Sequence, residues 1–396
     1  MLALVFVFVL MDVLGFALVL PLLPYLVSEL AAPPSLVGTL LTANAAAQLV
    51  GAPLLGSMSD TIGRRPVLIF AACWTCISFA LLAVSSSLAM ALVSRVLDGL
   101  LGGDVSLALA YVSDITTEEN RARGLGAVGA AFGLAFILGP VIGGVLVSYS
   151  LMAPALLASA IAAANALGLY FWLPESLAKK PAADESATGG LANISRWDPL
   201  ALLRGALAET GLAPLLILRT GYSFMFIAWE AMFATHYKSV YELPARTVSC
   251  ILGLVALMYA AVQGGAIAAL TKRTRPELLV TVSLAAMGAA LGLWLAPLPL
   301  AISLGAMAIF GLASGVANTL LNALISVQVP RHRFGSALTL SSALGSLVRV
   351  LAPSVVALSF QLTGSHLAAI GLCAAIGLAA SAYARSVFAP AKPHVD

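Results

Sequence analysis

The apolar residues of this chain come in long unbroken runs. They show neither the strict alternation of a half-buried strand nor the three-and-four spacing of a helix with one wet face. A helix needs about 20 mostly apolar residues to cross a bilayer. Runs that meet or approach this length lie at about 2–27, 36–58, 66–86, 88–112, 123–147 and 152–173, then at about 212–235, 247–270, 277–296, 298–326, 334–361 and 366–388. A polar interval at about 174–210 separates the two sets. The pattern predicts an all-α polytopic membrane protein of twelve transmembrane helices in two six-helix halves. The halves are 1–173 and 211–396, joined by a linker over 174–210. The first run carries Asp12 at its centre and lacks the basic start of a signal peptide, so it reads as a spanning helix.

Composition supports lipid as the solvent. Hydrophobic residues make up 61% of the chain and charged residues 9%, against about 25% charged in a soluble domain. A soluble enzyme is excluded. The net charge of +3 says little about partners and gives no reason to expect nucleic acid. Cys73, Cys76, Cys250 and Cys373 all lie in apolar runs; the Cys73–Cys76 CxxC reads as two small buried residues, and neither a disulfide framework nor a metal site is implied.

The placement of the basic residues sets the orientation. The even-numbered loops hold Arg64 and Arg65, Arg121 and Arg123, then Lys179, Lys180, Arg196 and Arg204. Later ones hold Lys272, Arg273 and Arg275, then Arg331 and Arg333, and the C-terminal end adds Arg385 and Lys392. The odd-numbered loops hold Lys238 and Arg246. Both termini are therefore expected in the cytoplasm. The plasma membrane is favoured, with an organelle membrane left open. The Asn193-Ile194-Ser195 sequon falls on the cytoplasmic side and is discounted.

Between the second and third runs the chain reads Gly56-Ser57-Met58-Ser59-Asp60-Thr61-Ile62-Gly63-Arg64-Arg65-Pro66, a GxxxDxxGRR pattern. Gly56 is expected to let a neighbouring helix approach closely, and Gly63 to permit a tight turn. Asp60, Arg64 and Arg65 supply charges for a latch across one face. The string resembles the loop signature of the major facilitator superfamily, and the six-plus-six layout extends the resemblance over the whole chain. A degraded copy is expected in the second half, as in transporters built from repeats. It is found at Gly264-Gly265 with Lys272, Arg273 and Arg275, without the Asp and the second Gly.

Further features are similar to one branch of that superfamily. Asp12-Val13-Leu14-Gly15-Phe16 with Pro21 and Pro24 resembles the opening helix of drug:proton antiporters of the tetracycline-efflux type. Arg95 to Gly103 resembles the Arg-containing motif of the fourth helix in proton-coupled members. Gly139-Pro140 and Gly143-Gly144 resemble the exporter signature of the fifth helix, read as a hinge; plain close packing is the other reading.

Charges at membrane depth are costly and mark functional sites by default. Asp12, with Arg95 and one of Asp98 or Asp104, is the expected proton-coupling cluster. Arg95 and Asp98 stand three apart and can pair on one face, so Asp98 is read either as part of the proton site or as only a local partner of Arg95. Asp104 lies a further six residues on, about 600° of helix, and faces well away from Asp98. In the second half Glu230, near Tyr222, Phe226, Trp229 and Phe233, is read as lining a cavity for a flat or cationic molecule, with an interfacial aromatic belt as the other reading of the rings. Arg219 and Arg349 are read as sites for an anionic group or as partners of an acid. Gln48, Asn318 and Asn322 either bond a substrate or hold helices together.

The eighth and ninth runs lack the ionisable residues that bacterial tetracycline exporters use there, apart from Glu277 at one end, which puts tetracycline itself in doubt. The reading favoured from sequence is a proton-coupled exporter of small amphipathic organic compounds, working by alternating access. A facilitator or proton symporter of an organic anion stands as the alternative, and a non-transporting membrane sensor of the same fold is less supported. No enzyme, metal or cofactor chemistry is expected. The expected partners are a small organic solute, protons and lipid, and a monomer is the default for the fold.

Overall fold

A computed structural model of the protein describes residues 2–102, 105–116, 118–176, 212–263, 267–328 and 334–388. Residues 177–211 hold nearly all the expected linker; they, Asp104 and the Gly264-Gly265 pair lie outside the described residues. Among the described residues all regular structure is helical. α1 (Leu2–Val19) runs through a tight turn at Leu20–Leu22 into α2 (Leu23–Glu29). The turn falls where Pro21 and Pro24 each lack the N–H that an α-helical ladder needs. Together these elements make the first span.

α3 (Ser35–Ile62) and α4 (Arg64–Ala83) form the second and third spans. The fourth is split into α5 (Leu88–Leu101) and α6 (Val105–Ile115), and Ser87 caps α5 by accepting from the Met90 amide at 3.3 Å. α7 (Glu118–Leu146) and α8 (Ala153–Trp172) complete the first six. α9 (Leu212–Tyr241) is the seventh span, and the eighth is split into α10 (Ala245–Ala261) and α11 (Ile267–Arg273). α12 (Pro276–Leu293), α13 (Leu300–Gln328), α14 (Phe334–Thr363) and α15 (Leu367–Phe388) follow. Among the described residues ten helices are long and apolar enough to cross a membrane; the interrupted fourth and eighth complete the twelve.

The packing divides the chain into two compact units. One is Met1–Asp198 with Tyr237–Gly253, the other Pro199–His236 with Leu254–Asp396. The segment around the α9–α10 turn thus groups with the first six spans. Lys238 Nζ donates to the Pro24 carbonyl at 2.8 Å and lies 4.9 Å from the Tyr25 ring centre. The Tyr25 hydroxyl donates to the Leu243 carbonyl at 2.7 Å.

Within each unit the same span pairs recur, as expected of a repeat. The third packs on the sixth (α4 on α8) and the ninth on the twelfth (α12 on α15). The second packs on the fourth (α3 on α5), and the eighth on the tenth, where Gly311 and Gly315 of α13 meet Val255 and Tyr259 of α10. Small residues make these approaches, since lipid tails compete for apolar contact as well as Leu does. A Cβ on Gly99 would fall on the Asn44 carbonyl, and one on Gly51 on the Leu100 carbonyl. The close approach expected at Gly56 is not made here: a Cβ there would meet nothing within 4 Å.

Candidate functional site

One end of the first unit carries a charged network on the GxxxDxxGRR turn. Arg64 pairs with Asp60 at 2.6 Å and with Asp114 of α6 at 3.0 Å, and donates to Ser59 Oγ at 2.6 Å. Glu175, just past α8, accepts from the backbone amides of Arg64 and Arg65 at 2.9 and 3.1 Å. These are among the first amides of α4, which no intrahelical carbonyl satisfies, and a carboxylate there also suits the helix dipole. Gly63 stands at φ +117°, and a Cβ on it would lie 2.6 Å from Glu175 Oε2. Arg65 reaches the Tyr170 carbonyl, and Ser176 Oγ bonds Asp114 at 3.2 Å. The sequence reading missed Glu175 and Asp114. The Pro174-Glu175-Ser176 step after a spanning run, and an acid at the end of α6, were the available signals.

The expected proton cluster resolves into two settings. Arg95, 2% exposed, lies 3.5 Å from Asp98 and donates to Ser94 and Ser78 hydroxyls at 3.1 and 3.4 Å. Its guanidinium is 5.0 Å from the Phe79 ring centre. Asn44 of α3 donates to Asp98 Oδ2 at 3.1 Å and to the Arg95 carbonyl at 3.0 Å. Asp12 is half-buried and lines a different cavity, walled by Phe8 and Val9 of α1, Ala72 of α4, Ala108 and Tyr111 of α6, and Asn165 of α8. The cavity measures about 40 Å³, enough for water but not for an organic solute.

Gly139 and Gly143 of α7 pack on α1: a Cβ on Gly139 would lie 3.0 Å from the Leu18 amide nitrogen, and one on Gly143 2.7 Å from the Leu18 carbonyl. A Cβ on Gly144 would lie 2.8 Å from Ser249 Cβ of α10. Pro140 sits inside the helix and removes one rung of its ladder. Gln48 is half-buried on α3.

The second unit gathers the remaining polar residues. Arg219 of α9 donates to Asn318 Oδ1 of α13, whose Nδ2 donates to the Tyr259 hydroxyl of α10 at 2.7 Å. Tyr259 also bonds Tyr222 and Gln263. The Arg219 guanidinium lies 5.2 Å from the Tyr222 ring centre. From there an aromatic stripe continues at helical spacing. Tyr222 stacks on Phe226 at 6.0 Å, Phe226 meets Trp229 at 5.6 Å, and Trp229 meets Phe310 of α13 at 4.7 Å. Trp229 Nε1 points to Met307 Sδ at 3.1 Å.

Among the described residues no carboxylate lies within 4.0 Å of Arg219. Glu230, half-buried, feels the charge of Arg349, which is exposed on α14. Asn322 is exposed on α13. Sequence reasoning missed Tyr259, Gln263 and Phe310. The four-residue step from Tyr259 to Gln263 in an apolar span was the signal, since such a step puts two polar groups on one helix face.

Twelve apolar spans in repeated pairs, enclosing charged and hydrogen-bonding side chains at membrane depth, define a polytopic membrane transporter. The chain belongs to the Major Facilitator Superfamily, whose family profile matches residues 5–353. It is 29% identical over 364 residues to the major facilitator superfamily domain-containing protein 10 of Bos taurus, covering 87% of this chain and 77% of that one. It is 38% identical over 169 residues to the class C tetracycline resistance protein of Escherichia coli, covering 42% of this chain and 43% of that one. The chain thus spans less than half the length of that relative. Among solved structures, the human organic anion transporter MFSD10 (TETRAN) superposes with a TM-score of 0.70 at 25% identity, covering 97% of this chain and 98% of that one.

Proposed function

We propose that this protein is a secondary transporter of small organic anions with an aromatic body, coupled to protons through Asp12. The observation that carries the reading is Arg219. It is a cation at membrane depth, bonded to Asn318 and set beside the Tyr222 ring, from which the rings of Phe226 and Trp229 lead on. A charge there is costly unless it is used or paired. Its neighbours are neutral hydrogen-bonding groups, so the charge stands ready for an anionic ligand. A guanidinium takes a carboxylate in a two-point contact, and Phe226, the half-buried ring of the stripe beyond it, is the ring within reach of a flat ligand. The likeness to an organic anion transporter supports the same substrate class.

Asp12 supplies a group that can take up and release a proton as the cavity around it changes. Arg95, Asp98 and Asp104 are proposed to assist it in the first half, with the Asp60–Arg64–Arg65 turn as a latch and Gly139 to Gly144 as the flexing region. Arg349 and Glu230 form a second charged station in the other half, and Gln48 and Asn322 stand as further contacts. With the basic loops inside, both termini face the cytoplasm. The second reading, a proton-coupled exporter of amphipathic drugs, is favoured by Asp12 and by the partial likeness to tetracycline resistance proteins.

The test is proton flux in proteoliposomes with a pH-sensitive dye, using aromatic carboxylates, lipophilic cations and neutral drugs. Arg219→Gln is expected to lower carboxylate transport about tenfold or more, the equivalent of one charge-assisted hydrogen bond, and to leave any cation transport unchanged. Carboxylate transport at the wild-type rate in Arg219→Gln would sink the anion reading. A substrate-driven pH change that survives Asp12→Asn would remove Asp12 from coupling.

A further inference from the structure

The cavity beside Asp12 contains a buried atom with no partner. Asn165 of α8 is 3% exposed. Its Nδ2 donates to the Phe8 carbonyl at 3.3 Å, which fixes the amide orientation. Oδ1 is therefore the free end of the side chain, and no hydrogen bond reaches it. Buried polar atoms in native proteins are nearly always satisfied by protein or by an ordered water. Asn165 and Asp12 line the same cavity, and its volume of about 40 Å³ admits water. The third polar side chain in the wall, Tyr111, is committed elsewhere: its hydroxyl donates to the Pro174 carbonyl at 2.8 Å. The rest of the lining is apolar, with Val5, Leu68 and Leu173 toward the end of the bundle that carries Arg64.

We propose that this cavity holds ordered water bridging Asn165 Oδ1 and the Asp12 carboxyl, and that this water carries the proton between Asp12 and the Arg64 end of the first unit. The proposal rests on the reading of Asp12 as the coupling group. In the release step the Asp12 O–H bond breaks and its proton joins the water. When the Arg64 end opens, a bulk water reaches this one and takes one of its protons, and Asp12 is left as carboxylate. Uptake is the reverse, and no other reactant is consumed. Asn165 is a positioning residue: its oxygen accepts a hydrogen bond from the water and holds it against Asp12 inside an apolar wall that would otherwise not retain it.

A structure of the full chain at a resolution that shows waters tests the site without any substrate. A water is expected within about 3 Å of Asn165 Oδ1; an empty cavity in such a map overturns the proposal. The functional test uses 1-naphthoate as the probe anion and compares Asn165→Leu, Asn165→Ser and Asp12→Asn. The proton-coupled flux of Asn165→Leu is expected to fall at least tenfold, while counterflow of labelled 1-naphthoate stays within twofold of wild type. Counterflow needs binding and alternation but no net proton movement. Asn165→Ser keeps an oxygen for the water and is expected to hold coupled flux within about threefold.

Coupled flux unchanged in Asn165→Leu overturns the relay. Loss of coupled flux and counterflow together overturns it as well, since Asn165 would then be only structural. Asp12→Asn separates this from the parent reading: wild-type coupled flux there removes Asp12 from coupling whatever Asn165 does.

Discussion

At Gly63 the backbone turns from α3 into α4 with φ +117° and ψ 152°, a region open in practice to glycine alone. The space where a side chain would stand is filled by the Glu175 carboxylate. Gly63→Ala is expected to cost about 1–3 kcal/mol in backbone strain, read as a lower melting temperature in detergent. A melting curve matching wild type would mean that the turn relaxes freely. His366 is a second single-residue case. It precedes α15, outside the spans, and its Nε2 lies 2.8 Å from His236 Nδ1. Burial pushes its pKa down from 6.5 to about 4. The folded state thus binds a proton less readily than the unfolded chain. The stability it contributes is complete above pH 6.5 and is lost as the pH falls through 4. The melting temperature is expected to drop on acidification across that window, and to drop less in His366→Gln; equal slopes would contradict this.

Among the helices, the position of each glycine decides which elements can touch. Gly51 and Gly99 bring α3 and α5 so close that each faces a backbone carbonyl of the other helix. That contact places Asn44 where it bonds both the Arg95 carbonyl and Asp98. Gly99→Val is therefore expected to do more than overpack the interface, which alone costs about 1–3 kcal/mol. It should also lift Asn44 away from Asp98 and reduce transport beyond what Gly126→Val does, Gly126 having open space where a Cβ would stand. Equal effects of the two variants, in melting temperature and transport, would show that the α3–α5 approach is not critical. The sequence motif GxxxDxxGRR points to Gly56 as the packing glycine. The three-dimensional arrangement puts the approach one helical turn and more earlier, at Gly51, because the partner helix crosses there.

For the molecule as a whole, the two ends of the first unit are held by different chemistry. At one end Arg64, Asp60, Asp114 and Glu175 form a charged network. At the other, Lys238 and Tyr25 tie the turn between α9 and α10 to the end of α2. Loosening either should expose its own end only. In a cysteine-free background, Arg64→Ala is expected to speed maleimide labelling at L173C tenfold or more and leave L26C unchanged. Lys238→Met should do the reverse. Both positions are now buried, at 3% and 4% exposure. Equal acceleration at both sites would mean general loosening rather than separate closures.

The chain by itself determined the membrane as solvent, the twelve spans and their division by a polar interval, because runs of apolar residues and scarce charges answer directly to the thickness and polarity of a bilayer. It also determined the charged turn between α3 and α4, since Gly-Asp-Gly-Arg-Arg at fixed spacing is a local pattern. Local spacing likewise carried the Arg95–Asp98 pair and the ring series from Tyr222 to Trp229. Only the tertiary structure decided which helices share each polar group. It set Asp12 with Asn165, 153 positions apart in the chain, and Arg219 with Asn318 and Tyr259 from three different spans. It also grouped Tyr237–Gly253 with the first unit, although this segment lies beyond the boundary at about 174–210 that polarity alone suggests. Hydropathy reports how a segment meets lipid. It carries no information on which neighbour a helix face meets, and that choice is made by small residues, carbonyls and buried hydrogen bonds once the helices pack.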